Sequence, residues 1–388
     1  MKKNFRLLLA CISMLAASAV HAGMPMESDG VAERQGELDF TTQQMVQAIN
    51  KDAPDWALDV ASRIKLHGYA QGGYYFKHSS ASNSNANAFE TKRTLLWADA
   101  QITERWSFLF MHDFNSIVQE FYTDYRISND KALTVRLGQF KTGLTMENPW
   151  SPTAMETIDV YSEGVTYLSG CGSDPLFGVQ YGRDLGLSVR GVLAKGKFAY
   201  EFDLLNGQGI QNVKRDANNK KDVVSRLEYR PFKGFNIVAT GQLGWGNALV
   251  NSPIFCPTVN QGDDYRRNRY SIGFDYKSAP FNIHGEFLGG KDDVTVSRGA
   301  YVTGSVRLCK DVDFIASYDF FNFNVDDKKD MHKIVAGLQY WFFKKCRFQV
   351  QYVYKSAYTQ GGRFVHGANN AIMAQMQIRF DYTGKKKK

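Results

Sequence analysis

The sequence predicts an all-β protein that closes into a 16-stranded antiparallel transmembrane β-barrel, and three observations support this. From Ile64 onward, apolar or aromatic side chains recur at every second position, which is the period of a strand with one apolar face. Tight turns alternate with longer polar loops along the chain, as they do when turns form one rim of a barrel and loops the other. Aromatic residues make up 14% of the chain, which excludes a disordered protein.

The alternation is clearest in two segments. From Arg269 to Tyr276 the apolar residues occupy every second position, and the same pattern runs from Ile372 to Phe380. A helix would instead need a period near 3.6. Segments of this kind, predicted as strands, lie at 64–76, 89–102, 104–115, 117–127, 131–141, 184–194, 197–205, 222–230, 234–245, 267–277, 280–289, 297–308, 311–321, 332–343, 345–356 and 370–382.

The links between the predicted strands differ in length. Tight turns are predicted at 128–130, 194–197, 231–234 and 277–280. Longer polar loops are predicted near 77–88, 142–183, 206–221, 246–266, 290–296, 322–331 and 357–369. The third-to-fourth strand link is the one short connection on that side. An even strand count and this asymmetry favour a membrane barrel over a soluble β-sandwich or propeller, and a closed barrel satisfies its backbone in lipid.

The amino terminus has the features of a cleaved signal peptide, residues 1–22. Lys2, Lys3 and Arg6 precede an apolar stretch, and Val20-His21-Ala22 supplies small residues before a mature start at Gly23. A lipoprotein-type cleavage before Cys11 is disfavoured, because it would leave almost no apolar stretch ahead of the cysteine. The chain is therefore expected in the outer membrane of a Gram-negative bacterium.

Three further regions follow the signal peptide. Residues 23–63 are predicted as a periplasmic N-terminal segment, 64–382 as the barrel and 383–388 as a basic C-terminal tail. The two ends carry seven of the 47 basic residues, so the body is nearly neutral despite a net charge of +8. The body therefore lacks the basic footprint of a nucleic-acid-binding protein.

Motifs of common enzymes are missing from the sequence. It contains no His-Glu-x-x-His, no Gly-x-Ser-x-Gly and no phosphate-cradling glycine-rich loop. We therefore expect no catalytic residues, no cofactor and no metal site. An outer-membrane barrel enzyme is the disfavoured alternative.

Several short motifs together resemble the family of phosphate-selective porins O and P, in its Bacteroides-like branch. They are Gly138-Gln139-Phe140-Lys141 with the following Leu144 to Asn148, then Gly182 to Leu187, Asn206 to Gly209 and Lys221 to Arg226. The resemblance implies a homotrimeric, water-filled channel for passive diffusion of small hydrophilic or anionic solutes. It also implies that the third long loop folds into the lumen.

The residues of that loop favour the same position. The connection at 142–183 is the longest of all, and it carries apolar side chains that an exposed tip would not need, including Trp150, Ile158 and Leu168. Between Thr142 and Gly182 there is no Lys or Arg. The predicted constriction loop contributes Lys141, Glu147, Glu156, Asp159, Glu163 and Asp174. Cys171 in this loop and Cys256 in another are either bridged or two free thiols.

The pore wall is predicted from strand parity. If the apolar faces contact lipid, Arg93, Arg136, Arg190 and Arg226 point inward, near mid-depth, and are the candidates for contacting solutes. We expect these arginines to face the loop carboxylates across the pore. Opposed charges would partly screen one another, so a general pore with at most a mild anion preference is predicted. A phosphate- or polyphosphate-selective channel is the alternative.

Overall fold

The computed structural model describes residues 62–80, 82–211, 216–253, 255–358 and 364–383. The predicted signal peptide 1–22, nearly all of the segment 23–63 and residues 384–388 of the tail lie outside this described part. Among the described residues, no helix is both long and apolar enough to cross a membrane.

Sixteen long strands form one sheet. They are β1 Ile64–Ser79, β2 Ser84–Gln101, β3 Trp106–Asp113, β4 Val118–Arg126, β5 Thr134–Lys141, β6 Arg183–Leu193, β7 Phe198–Leu205, β8 Asp222–Tyr229, β9 Phe235–Asn247, β10 Asp264–Ser278, β11 Phe281–Asp292, β12 Thr295–Cys309, β13 Val312–Asn322, β14 Asp330–Phe343, β15 Cys346–Tyr358 and β16 Asn370–Thr383. Each pairs antiparallel with its neighbours in the chain, and β16 pairs with β1 from Lys65↔Thr383 to His78↔Asn370. The predicted closed 16-stranded antiparallel barrel is confirmed.

Two of the predicted long loops are wrong. β1 and β2 continue to a tight hairpin in which Ser79 pairs with Ser84, and Asp293-Val294 alone joins β11 to β12. The sequence of the β1–β2 hairpin from Lys77 to Ala88 is polar or small on both faces, and the β11–β12 turn follows the charged residues Lys291 and Asp292. Without an apolar face, such strand ends are read as loops. Three long connections do leave the barrel from that rim, namely those that follow β5, β7 and β9.

The two faces of the barrel differ as strand parity predicts. On β10, Ile272 is 55% exposed on the outer face, whereas its neighbours Ser271 and Gly273 turn inward, with Ser271 only 5% exposed. Arg136, Arg226 and Arg269 are likewise buried on the inner face. Exposed apolar side chains therefore cover the outside, and polar side chains line the inside.

A loop-lined lumen as the candidate functional site

The connection between β5 and β6, residues 142–182, lies inside the barrel. It begins with a buried stretch and then forms a short 3-10 turn, Pro152–Ala154, and the helix α1, Glu163–Leu168. The Ser162 hydroxyl caps α1 by accepting the N–H of Val165 at 3.2 Å. The backbone N–H of Ile158 donates to Gln351 on β15 at 2.8 Å. These contacts agree with the inward course predicted for this loop.

An apolar socket on the inner wall holds α1. Val165 and Leu168 pack with Leu288 of β11, Tyr301 of β12 and Phe321 of β13, all buried. A side chain at Gly164 would approach Phe321 and Leu288 within 3 Å. The helix can therefore lie this close to the wall only because Gly164 has no Cβ. This packing accounts for Leu168 and Trp150, whereas Ile158 packs in a second buried cluster with Tyr75 and Val353.

Lys141 is part of the loop's internal structure. Its Nζ donates to the carbonyl oxygens of Asn148 at 2.8 Å and Trp150 at 2.6 Å, and to the Tyr161 hydroxyl at 3.0 Å. These bonds use all three ammonium hydrogens. Lys141 therefore holds the start of the loop rather than offering a charge to solutes.

Two loop carboxylates meet one wall histidine. His284 Nε2 on β11 lies 3.1 Å from Glu147 Oε1, and its Nδ1 lies 3.8 Å from Glu156 Oε2. The side chains of His284 and Glu147 are both 2% exposed. Trp150 packs edge-on against the imidazole, with the ring centroids 5.1 Å apart. This buried cluster fixes the loop to the wall of β11.

The other loop acids have cationic partners as well. Glu163 Oε1 lies 3.2 Å from Lys333 Nζ and 2.9 Å from Lys355 Nζ. Asp174 Oδ2 accepts from Arg267 Nη2 at 3.0 Å. Asp159, 40% exposed, lies 3.9 Å from Lys92 Nζ. Each of the three loop acids that His284 does not contact therefore has a basic partner.

The expectation that the loop carboxylates face the wall arginines across the pore is therefore wrong. Glu147, Glu156, Glu163 and Asp174 lie on the side of the loop that packs against β10, β11, β14 and β15. Burial of a carboxylate requires a partner, and that wall supplies it. Asp159 alone of the five contacts a base on β2.

The four candidate arginines fall into two groups. Arg136 makes a bidentate pair with Asp124, with Nε–Oδ1 at 2.7 Å and Nη2–Oδ2 at 2.8 Å. Arg226 pairs with Glu228 at 2.7 Å and also donates to the Thr145 carbonyl at 2.6 Å. These two arginines are structural, because their donors are committed to the wall and the loop.

The other two candidates are less committed. Arg93 Nη1 donates to the Gln71 side chain at 3.2 Å. Within the described residues, Arg93 and Arg190 form no salt bridge, and Arg190 lines a cavity of about 420 Å³. Both guanidinium groups therefore keep donors for solutes.

This cavity is basic. It is lined by six bases, Arg105, Arg126, Lys131, Arg190, Arg226 and Arg230, and by three acids, Asp124, Glu201 and Glu228. It lies beside the short turns, on the rim where β1 begins and β16 ends. Of the four candidates it brings together Arg190 and Arg226, and Arg93 and Arg136 do not line it.

Strand parity missed one inward base, Lys92. Gln71 pairs with Arg93, but the next residue, Gly72, pairs with Thr91, so β2 contains a bulge at Lys92. A bulge places two residues opposite one. As a result Lys92 also points inward, with its Nζ 4.4 Å from the centre of the Tyr75 ring. Nothing in the alternation of residues around Lys92 marks this bulge.

Cys171 and Cys256 are free thiols in the structure, not a disulfide. Cys171 Sγ lies 3.2 Å from the Asn148 side-chain oxygen, and Cys256 Sγ lies 3.5 Å from the Tyr167 hydroxyl. The two belong to separate apolar clusters. The described part of the chain also holds no group of three or more ligating side chains suited to a metal ion.

Comparison with solved structures shows which fold this is. An anion-selective porin from Comamonas acidovorans matches with a TM-score of 0.61 and 12% identity, over 82% of this chain and 99% of the porin. The outer membrane channel DcaP of Acinetobacter baumannii matches with a TM-score of 0.57 and 12% identity, over 81% and 97%. OmpF of Salmonella typhi, in complex with daunomycin, matches with a TM-score of 0.57 and 13% identity, over 83% and 99%.

These likenesses show a shared fold, the 16-stranded barrel of porins. No protein-family model and no curated protein matches the sequence. The particular resemblance to phosphate-selective porins O and P thus remains a prediction from the sequence motifs.

Proposed function

We propose that the chain forms a water-filled channel of an outer membrane, through which small hydrophilic solutes diffuse passively with a mild preference for anions. The observation that carries this proposal is the separation of charges inside the barrel. Four of the five loop carboxylates are paired with wall bases on one side. Arg93, Arg190 and the basic cavity lie on the other side of the lumen.

The outer surface supports a membrane location. Large apolar side chains such as Leu227, Ile272 and Ile378 are each more than half exposed on it. An exposed apolar surface of this extent in a closed barrel suits lipid. The proposed channel therefore spans the membrane, and its lumen provides the polar path.

The same cavity argues against tight phosphate binding. Asp124, Glu201 and Glu228 lie among its bases, and Glu228 pairs with both Arg226 and Arg230. A dehydrated phosphate needs several converging donors with few acids nearby. We therefore expect weak attraction of anions rather than selective capture.

The test is a planar-bilayer recording of the purified protein. In a potassium chloride gradient, the reversal potential should indicate a modest preference for chloride, and millimolar phosphate should leave most of the chloride current. Block at micromolar phosphate would instead support the alternative, a phosphate- or polyphosphate-selective channel. Failure to insert as a conducting pore would reject the proposed function.

We further propose a homotrimer in outer-membrane lipid, following the family resemblance. The mature protein should fractionate with outer membranes. Before boiling, it should migrate in electrophoresis as a trypsin-resistant oligomer. Recovery as a soluble periplasmic monomer would contradict both the assembly and the location.

A further inference from the structure

Three neighbouring strands present bases on the outer surface, at the rim opposite the start of β1 and the end of β16. Arg266, Lys291 and Arg298 are exposed near the ends of β10, β11 and β12. Each is adjacent in sequence to a residue that is buried on the inner face, namely Arg267, Asp292 and Ser297. Parity therefore directs the three bases outward. Within the described residues, none of the three forms a salt bridge.

An indole ring marks the height of this basic patch. Trp245 on β9 pairs across the strands with Arg266, and the Arg266 guanidinium carbon lies 3.9 Å from the ring centre. Lys220 Nζ lies 3.8 Å from the same ring. Tryptophan near a strand end is typical of the boundary between lipid and water. Arg266 therefore lies at that boundary.

An apolar band starts directly below the patch. On the strands concerned, the next large outward side chains are Leu243, which is 68% exposed, Tyr270 and Phe287. The rings of Tyr270 and Phe287 pack together, with centroids 6.1 Å apart. The bases thus lie where hydrocarbon gives way to headgroups. An outward cation is costly deep in the bilayer but well placed at this level.

Acidic neighbours do not neutralise the patch. Asp264 pairs with Lys220 at 3.2 Å, and the Asp293 carboxylate accepts from the Thr258 hydroxyl at 3.0 Å. The donors of Arg266, Lys291 and Arg298 are left facing the lipid boundary. A guanidinium group binds phosphate through two parallel hydrogen bonds, and phosphate is the anionic group of many lipid headgroups.

We propose that Arg266, Lys291 and Arg298 form a binding site for the phosphate groups of an anionic lipid in the outer leaflet. This inference rests on the proposed membrane location. The site lies outside the lumen, so it would fix the barrel in its lipid surroundings without taking part in conduction. Trp245 would hold the Arg266 side chain at the headgroup level.

The test compares two lipids and three proteins. Three proteins are placed in phosphatidylcholine nanodiscs: the wild type, a triple variant and a control. The triple variant is Arg266→Glu/Lys291→Glu/Arg298→Glu, and the control is Lys195→Glu/Lys233→Glu/Lys310→Glu. The control makes the same charge change at exposed positions of the other rim. Each nanodisc is doped with lipid A carrying phosphates or with its dephosphorylated form, and retained lipid is counted by native mass spectrometry.

Wild type and control should retain phosphorylated lipid A at least about tenfold better than the dephosphorylated form, and the triple variant should lose this difference. Equal retention of both lipids by wild type, or full retention by the triple variant, would overturn the site. Competition by millimolar inorganic phosphate would point to a soluble anion and would also overturn it.

Conductance separates this inference from the proposed function. A triple variant with wild-type single-channel conductance and no lipid preference supports the site. If wild type conducts nothing but still retains phosphorylated lipid A selectively, the channel proposal fails while the lipid site stands. A triple variant with altered conductance would mean that these residues reach the lumen, against the outward placement.

Discussion

His284 and Glu147 join the barrel wall to the loop inside it through a contact of 3.1 Å between Nε2 and Oε1, with both side chains almost fully buried. The two residues are 137 positions apart in the chain. Because Glu156 approaches the other ring nitrogen of His284, one imidazole holds two points of the loop. This contact therefore helps to fix the position of the loop.

His284→Ala should loosen the loop. The change leaves the carboxylates of Glu147 and Glu156 buried without their shared partner, and an unsatisfied buried group costs about 1–3 kcal/mol. We expect a lower unfolding temperature and noisier single-channel currents. The control is His332→Ala, which removes an outward histidine whose Nδ1 lies 3.0 Å from the Tyr318 hydroxyl. Identical current noise in the two variants would contradict the anchoring role.

Removing residues 155–174 should raise single-channel conductance. This segment includes α1 and fills part of the lumen without belonging to a barrel strand. Replacing the same residues with a glycine-serine linker of equal length should also raise conductance, but less, because the linker keeps the bulk of the chain while losing its contacts. Unchanged conductance in correctly folded protein would show that the segment does not restrict the pore.

Acid should release the loop at Glu163. Burial opposes ionisation of this carboxyl, but Lys355 and Lys333 outweigh burial and lower its pKa from 4.5 to about 2. A pKa that is lower in the folded state stabilises the fold above the unfolded value, and this contribution is lost as pH falls. We therefore expect stability to fall between pH 4.5 and 2 in thermal unfolding experiments.

Glu163→Gln should reduce that pH dependence and lower stability already at neutral pH. The matched control is Glu104→Gln, which changes an exposed residue in the turn between β2 and β3. A wild-type profile in the Glu163 variant would mean that other carboxyls cause the acid effect.

Arg190→Glu should shift ion selectivity toward cations. Arg190 lines the basic cavity and forms no salt bridge within the described part of the chain, so reversing its charge changes the field that ions meet. We expect the ratio of chloride to potassium permeability to fall about twofold, because salt screens a single charge in a wide pore. Arg298→Glu makes the same change on the outer surface and should leave the ratio as it is. If wild type and Arg190→Glu have the same ratio of chloride to potassium permeability, this residue does not lie on the path of the ions.

The side chains that point into the barrel could be predicted, because a membrane barrel needs apolar residues on its outer face and polar residues on its inner face. Strand parity predicts Arg93, Arg136, Arg190 and Arg226 on the inner face, and Arg136 and Arg226 are buried in the structure. It failed at Lys92, because a bulge reverses parity and depends on the partner strand. The tight β1–β2 hairpin was missed for a different reason, since its strand ends are polar on both faces.

Pairing inside the lumen could not be predicted from the sequence. The loop carboxylates are evident at positions 147, 156, 159, 163 and 174, but their partners lie on strands far along the chain. Lys333, for example, pairs with Glu163 at a separation of 170 residues. Which of several inward bases meets which acid depends on the path of the loop across the wall, and no local pattern encodes that path.

The seam between the first and last strands restricts the order of assembly. β1 pairs with β16 along fourteen residue pairs, with sequence separations above 290 residues. Contacts so distant in sequence form slowly. Until they form, β1 and the most recently synthesised strand have unpaired edges, and unpaired strand edges promote aggregation. The last strand of the barrel, Asn370–Thr383, is also the last to be synthesised. On the proposed route to an outer membrane, the chain therefore needs protection from self-association until the first strand has paired with the last.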